Sequence, residues 1–145
     1  MTDETATRGQ DISGGIAGIR DAVTVRLPAA SAYLSVLRTA TAGLAARLDF
    51  TLDDIEDLRI AVDEACAMLL GFAVPGTDLI AEFELTGQEM IVRVEVSTVG
   101  QAEPKRDDFA WMVLTALADD VDAETGVPDR MGIVLRKRRG AARLP

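Results

Sequence analysis

The stretch from Asp78 to Ser97 restricts what this chain can fold into more than any other. Asp78-Leu-Ile-Ala-Glu-Phe-Glu-Leu-Thr86 and Glu89-Met-Ile-Val-Arg-Val-Glu-Val-Ser97 both alternate, with only Gly87-Gln88 between them. Period-two alternation marks a strand, and a two-residue connection makes the pair an antiparallel hairpin. Glu82, Glu84, Arg93 and Glu95 fall on one face, aliphatic side chains on the other. Such a sheet meets water on one side and needs a cover on the other. The remaining chain has to supply that cover.

It has the means. Hydrophobic residues make up 48% of 145, enough to pack one core, and aromatics only 4%, so the core is mostly aliphatic. In residues 31–48, Tyr33, Leu37, Ala40, Leu44 and Leu48 recur at spacings of four and three, which predicts an amphipathic helix broken at Asp49-Phe50. Thr51, with Asp54 three residues on, resembles a capping box opening a second helix. The apolar stripe of that helix is Ile55, Leu58, Val62, Ala65, Leu69 and Phe72, and Gly71 and Pro75-Gly76 end it. Residues 22–27 read as a strand closed by Pro28, residues 109–117 as a third helix, and residues 121–124 and 131–137 as strands flanking a Gly126-Val-Pro-Asp turn. Residues 1–19 read as a loose tail, 20–138 as one domain and 139–145 as a short basic tail. The expected class is α+β: a two-layer α/β sandwich with three helices on one face of a largely antiparallel sheet.

Composition then excludes several chemistries. The chain has no histidine, which rules out Ser-His-Asp and Cys-His catalysis and imidazole metal ligands. Its one cysteine, Cys66, makes no intrachain disulfide or thiolate zinc cluster and fits a reducing cytoplasm. The longest charge-free run, residues 65–77, is 13 long against the roughly 20 apolar residues of a membrane span. The first residues also lack the pattern of a secretory signal, so a cytoplasmic protein without a membrane span is expected. Net charge is −9, yet residues 130–145 hold six basic side chains and no acid, leaving −15 on the first 129 residues. A body so acidic repels nucleic acid, and no direct nucleic-acid partner is expected. No Walker loop, dinucleotide fingerprint or metal-ligand cluster occurs.

The strand-helix-helix order, together with Asp49-Phe-Thr-Leu-Asp-Asp-Ile-Glu-Asp-Leu-Arg-Ile-Ala-Val-Asp-Glu-Ala-Cys66, resembles the RsbW-type anti-sigma factor serine kinases. These belong to the GHKL (Bergerat-fold) ATPase group. Phe109-Ala-Trp-Met-Val-Leu-Thr-Ala-Leu-Ala-Asp-Asp-Val121 is similar to the family's passage from its last nucleotide motif into the third helix. The resemblance covers about residues 20–138. It implies the same sandwich, a homodimer, an alternative sigma factor as partner, and a STAS-type anti-anti-sigma antagonist that releases it.

The family carries a Glu-x-x-x-Asn motif on its second helix, in which the glutamate is the general base and the asparagine holds magnesium. By resemblance Glu64 takes the first position, but Met68 stands at the second, and a thioether is a poor ligand for a hard cation. The family's adenine-binding Asp-x-Gly-x-Gly corresponds to Val96-Ser-Thr-Val-Gly100, where Ser97 and Gly100 remain as degenerate positions without an aspartate. Asp107-Asp-Phe-Ala-Trp111 stands where a glycine-rich turn meets phosphate. The expected function is therefore an anti-sigma factor acting by binding, with Glu64 a remnant base and neither ATP nor Mg2+ required. The alternative is an active kinase, with ATP and Mg2+, that phosphorylates the antagonist. A third reading, a small regulatory domain for another metabolite, needs a pocket the sequence does not reveal. Arg38 coincides by resemblance with a first-helix arginine that contacts both partners, and Leu34 and Thr41 are expected beside it on the same surface. Trp111 is either core or a partner contact.

Overall fold

In a computed structural model, which describes residues 20–140, five strands and three helices follow in the expected order. The tail expected at residues 1–19, and residues 141–145 of the basic tail, lie outside the described residues. Strand β1 (Asp21–Pro28) leads through a 3-10 turn (Ser31–Tyr33) into helix α1 (Leu34–Arg47). Helix α2 (Leu52–Leu70) precedes the hairpin of β2 (Asp78–Leu85) and β3 (Glu89–Ser97). Helix α3 (Phe109–Leu117) and the hairpin of β4 (Asp120–Glu124) and β5 (Arg130–Arg138) complete the domain.

The sheet runs β1-β2-β3-β5-β4, antiparallel at every step. Its central hairpin has the predicted register, Leu85 opposite Met90, and the Thr86 hydroxyl accepts the N–H groups of Gln88 and Glu89 to close the turn. Inward-facing Leu79, Ala81, Phe83, Val92, Val94, Ile133 and Leu135 are fully buried under the helices. The outward face carries cross-strand ion pairs: Arg93 with Glu82 and Glu124, Arg130 with Glu95, and Arg136 with Glu89. This is the two-layer α+β sandwich expected, wet on one side. No helix among the described residues is long and apolar enough to cross a membrane.

Helix α2 lies over the middle of the sheet, between the other two helices. Its N-cap is Thr51, whose hydroxyl accepts the Asp54 N–H at 3.0 Å, as the capping pattern predicts. Leu58, Val62, Ala65 and Leu69 are buried as expected; Ile55 is half-buried, and Phe72, beyond the Gly71 cap, is exposed. The first helix departs further. Its buried stripe is Leu34, Leu37, Thr41 and Ala45, while Tyr33 stays outside. The 3-10 turn places Tyr33 at the N-cap, and the Ala- and Thr-rich helix that follows has apolar side chains around much of its circumference, so spacing alone does not mark the buried face. Thr41 is accommodated because its hydroxyl donates to the Leu37 carbonyl at 2.8 Å.

Candidate functional site

The residues singled out in the sequence fall on two different flanks of α2. Periodicity separates them: Asp63 and Glu64 are adjacent, so they project about 100° apart from the helix axis.

The flank facing α1 holds Arg38. Its guanidinium Nε donates to Asp63 Oδ1 at 2.8 Å, and the two side chains are 41% and 39% exposed, so the pair is reachable from solvent. A groove of about 630 Å³ opens beside it, lined by Ser35, Arg38, Ala42, Gly43, Glu56 and Arg59 among others. Arg59 is itself held by both carboxylate oxygens of Glu56, one turn earlier on α2. Leu34 and Thr41 do not belong to this surface. Both are buried in the core, so the partner surface expected from Arg38, Leu34 and Thr41 keeps only the arginine.

The opposite flank of α2 carries Glu64 and Met68. Glu64 is half-buried, and Met68 packs against the core cluster as a hydrophobic side chain. The end of β3 passes into a loop held by the turn before β5. Gly100, at φ 69°, is clamped there by Asp129, at φ 63°, from the turn before β5. The Gly100 N–H donates to Asp129 Oδ1 at 2.7 Å, and the Asp129 N–H donates back to the Gly100 carbonyl at 3.1 Å. Thr98, the degenerate segment's buried polar residue, donates its own N–H to the Asp129 carbonyl and its hydroxyl to the Gly100 carbonyl. Ser97 pairs with Arg130 across β3 and β5 and is half-buried.

At the start of α3, Asp108 is the N-cap, and its carboxylate accepts the Phe109 N–H at 2.8 Å. A carboxylate therefore already occupies the positive end of this helix, where an anion would otherwise be attracted. Trp111 is only 7% exposed and joins the core, which settles its two readings in favour of packing, and the Arg106 guanidinium lies 4.8 Å from its ring centroid. Phe109, two residues earlier and so on the far side of the helix, is 74% exposed.

These groups do not fit a magnesium-nucleotide. Where the resemblance implies a cation ligand stands the Met68 thioether, the Gly100 amide is taken by Asp129, and the N-terminus of α3 is capped by Asp108. Sequence reasoning found Glu64, Met68, Gly100 and Arg38 but missed Asp63, Asp129 and Arg106. Arg38 and Asp63 are 25 residues apart, and Gly100 and Asp129 are 29, with no spacing rule joining them.

The chain is 34% identical over 131 residues to the anti-sigma-F factor RsbW of Mycobacterium tuberculosis, covering 86% of this chain and 77% of that protein. A shorter segment, 46 residues, is 46% identical to the serine-protein kinase RsbW of Bacillus velezensis and covers 32% of this chain and 29% of that one. Among solved structures, the crystal structure of the RsbU and RsbW domains of Rv1364c from Mycobacterium tuberculosis superposes with a TM-score of 0.61 at 19% identity. That match spans 81% of this chain and 32% of the other, and supports the fold. No protein-family model matches the chain.

Proposed function

Because the chain belongs to the RsbW family of anti-sigma factors, we propose that it binds an alternative sigma factor and withholds it from RNA polymerase. In this reading it acts by binding alone, without phosphoryl transfer, and a STAS-type anti-anti-sigma protein competes for the overlapping surface and releases the sigma factor. The protein works in the cytoplasm as a homodimer, the state the family resemblance implies. The carrying observation is the similarity to an anti-sigma-F factor over 86% of this chain and 77% of that protein, combined with Met68, packed against the core, at the position where the resemblance implies the family's magnesium-holding asparagine. Sequestration needs only a complementary surface, whereas kinase chemistry needs an oxygen ligand for magnesium.

The test has two arms. The full chain, used as bait in its native lysate, retains a sigma factor identifiable by mass spectrometry; retention of no sigma factor overturns the reading. Calorimetry with magnesium-ATP then separates binding from catalysis. Loss of a cation ligand, an adenine acceptor and a free glycine amide together weakens nucleotide affinity by roughly a thousandfold, so little or no ATP binding is expected. The kinase alternative is favoured by the retained Glu64 and by the local similarity to a serine-protein kinase. Stoichiometric ATP binding below about 50 µM, a free energy near −6 kcal/mol, that is abolished by Glu64→Ala establishes it instead.

A further inference from the structure

We propose that Asp63 is a positioning residue for partner binding: it holds the Arg38 guanidinium by its Nε edge so that the terminal nitrogens are presented, already oriented, to a carboxylate of the partner. The inference rests on the reading that Arg38 lies at the partner surface.

The geometry supports it in three ways. The hydrogen bond uses only Nε, at 2.8 Å. Among the described residues, no acceptor takes a hydrogen bond from Nη1 or Nη2, and a guanidinium has a second edge whose geometry matches a carboxylate bidentately. Asp63 itself comes from α2, the best-buried helix of the domain, with Val62, Ala65 and Cys66 buried around it, so its backbone is a rigid anchor for a side chain on a neighbouring helix. Arg38 borders an open groove whose lining includes Ser35, Ala42 and Gly43, small residues that let another chain come close. An unheld arginine would have to be ordered on association, which costs affinity; one ordered beforehand does not.

The opposite role, a decoy carboxylate that competes with the partner, makes the reverse prediction, and that decides the experiment. The probe is the sigma factor identified with the wild-type bait, purified and titrated against the full chain and its variants. Asp63→Ala removes the anchor, and affinity falls roughly three- to tenfold, the effect of freeing one long side chain. Asp63→Asn keeps an acceptor for the Nε–H without the charge, and restores affinity to within about twofold. The Arg38→Ala, Asp63→Ala double variant binds no more weakly than Arg38→Ala alone, because the two residues act as one unit. Unchanged or tighter binding by Asp63→Ala, with Arg38→Ala still weakened, overturns the positioning role while leaving the partner surface standing. Arg38→Ala within twofold of wild type overturns the partner surface, and the positioning role with it. Thermal melts of each variant, expected close to wild type for a half-exposed pair, separate these outcomes from loss of the fold.

Discussion

Cys66 lies in the buried stripe of α2, and burial pushes its thiol from about 9 up to about 12, with the Asp63 carboxylate adding to the shift. Folding thus raises the pKa, so the thiol's contribution to stability is complete below about pH 9 and is lost as pH climbs toward 12. Urea melts at pH 8 and pH 10.5 should show lower stability at the higher pH, with Cys66→Ala lacking that component of the loss. A thiol-specific reagent at pH 8 should leave the native protein unlabelled and label it fully in denaturant. Arg38 carries the second prediction at this scale. Truncating an interfacial arginine costs about 2–5 kcal/mol, much of it from the partner carboxylate left unpaired. Arg38→Ala should weaken sigma-factor binding at least tenfold by titration, with its melting temperature nearly unchanged. That Arg38 lies off the buried stripe of its helix was legible in the sequence, and its side chain is 41% exposed. That Leu34 and Thr41 turn inward was not, because an alanine- and threonine-rich helix does not announce which face it buries.

At the scale of elements, α2 shows how local signals and distant contacts divide the work. Its start is written locally, in Thr51 and its bond to the Asp54 N–H. Thr51→Ala should cost about 1 kcal/mol of stability, measurable in a denaturant titration. The same end is also anchored from afar. Lys137 of β5, only 12% exposed, places its ammonium 3.7 Å from Asp57 and 4.0 Å from Asp54 and donates to the Leu117 carbonyl at 3.0 Å. Asp54 in turn accepts the Gly140 N–H at 3.2 Å. Lys137→Ala strands two α2 carboxylates and the carbonyl at the end of α3 together. Its expected cost of about 2–4 kcal/mol, below the extreme for a fully buried pair because Asp57 is partly solvated, should exceed that of Thr51→Ala in the same titration. In the sequence this lysine reads as one of six basic residues in a terminal run, with nothing to distinguish it from its exposed neighbours.

For the molecule as a whole, the sheet has one dry face and the helices all cover it, with α2 in the centre. Hydrogen exchange should therefore be slowest in the middle of α2 and in β2, β3 and β5, and faster in β1 and β4, the two edge strands. Uniform protection across all five strands would contradict a single core centred under α2. The molecular arrangement also separates the two candidate regions. The arginine surface lies between α1 and α2, whereas Glu64 and Met68 project from the other flank of α2, so sigma-factor affinity should be the same with and without magnesium-ATP. A shift in affinity on adding nucleotide would mean that the two flanks are coupled.

The sequence by itself determined the elements: alternation set the strands and their wet face, apolar periodicity and capping set the second helix, and the Asp49–Cys66 stretch pointed to the family. These are properties of residues a few positions apart, and short-range sterics and periodicity encode them directly. The tertiary structure alone decided that β5 lies between β3 and β4, which face of α1 is buried, that Arg38 meets Asp63 rather than Glu64, and that Asp129 closes on Gly100. Each of these joins groups that are distant in the chain or selects one of several faces equally able to pack. Such choices are made by the burial of all the elements together, and no local pattern records the outcome.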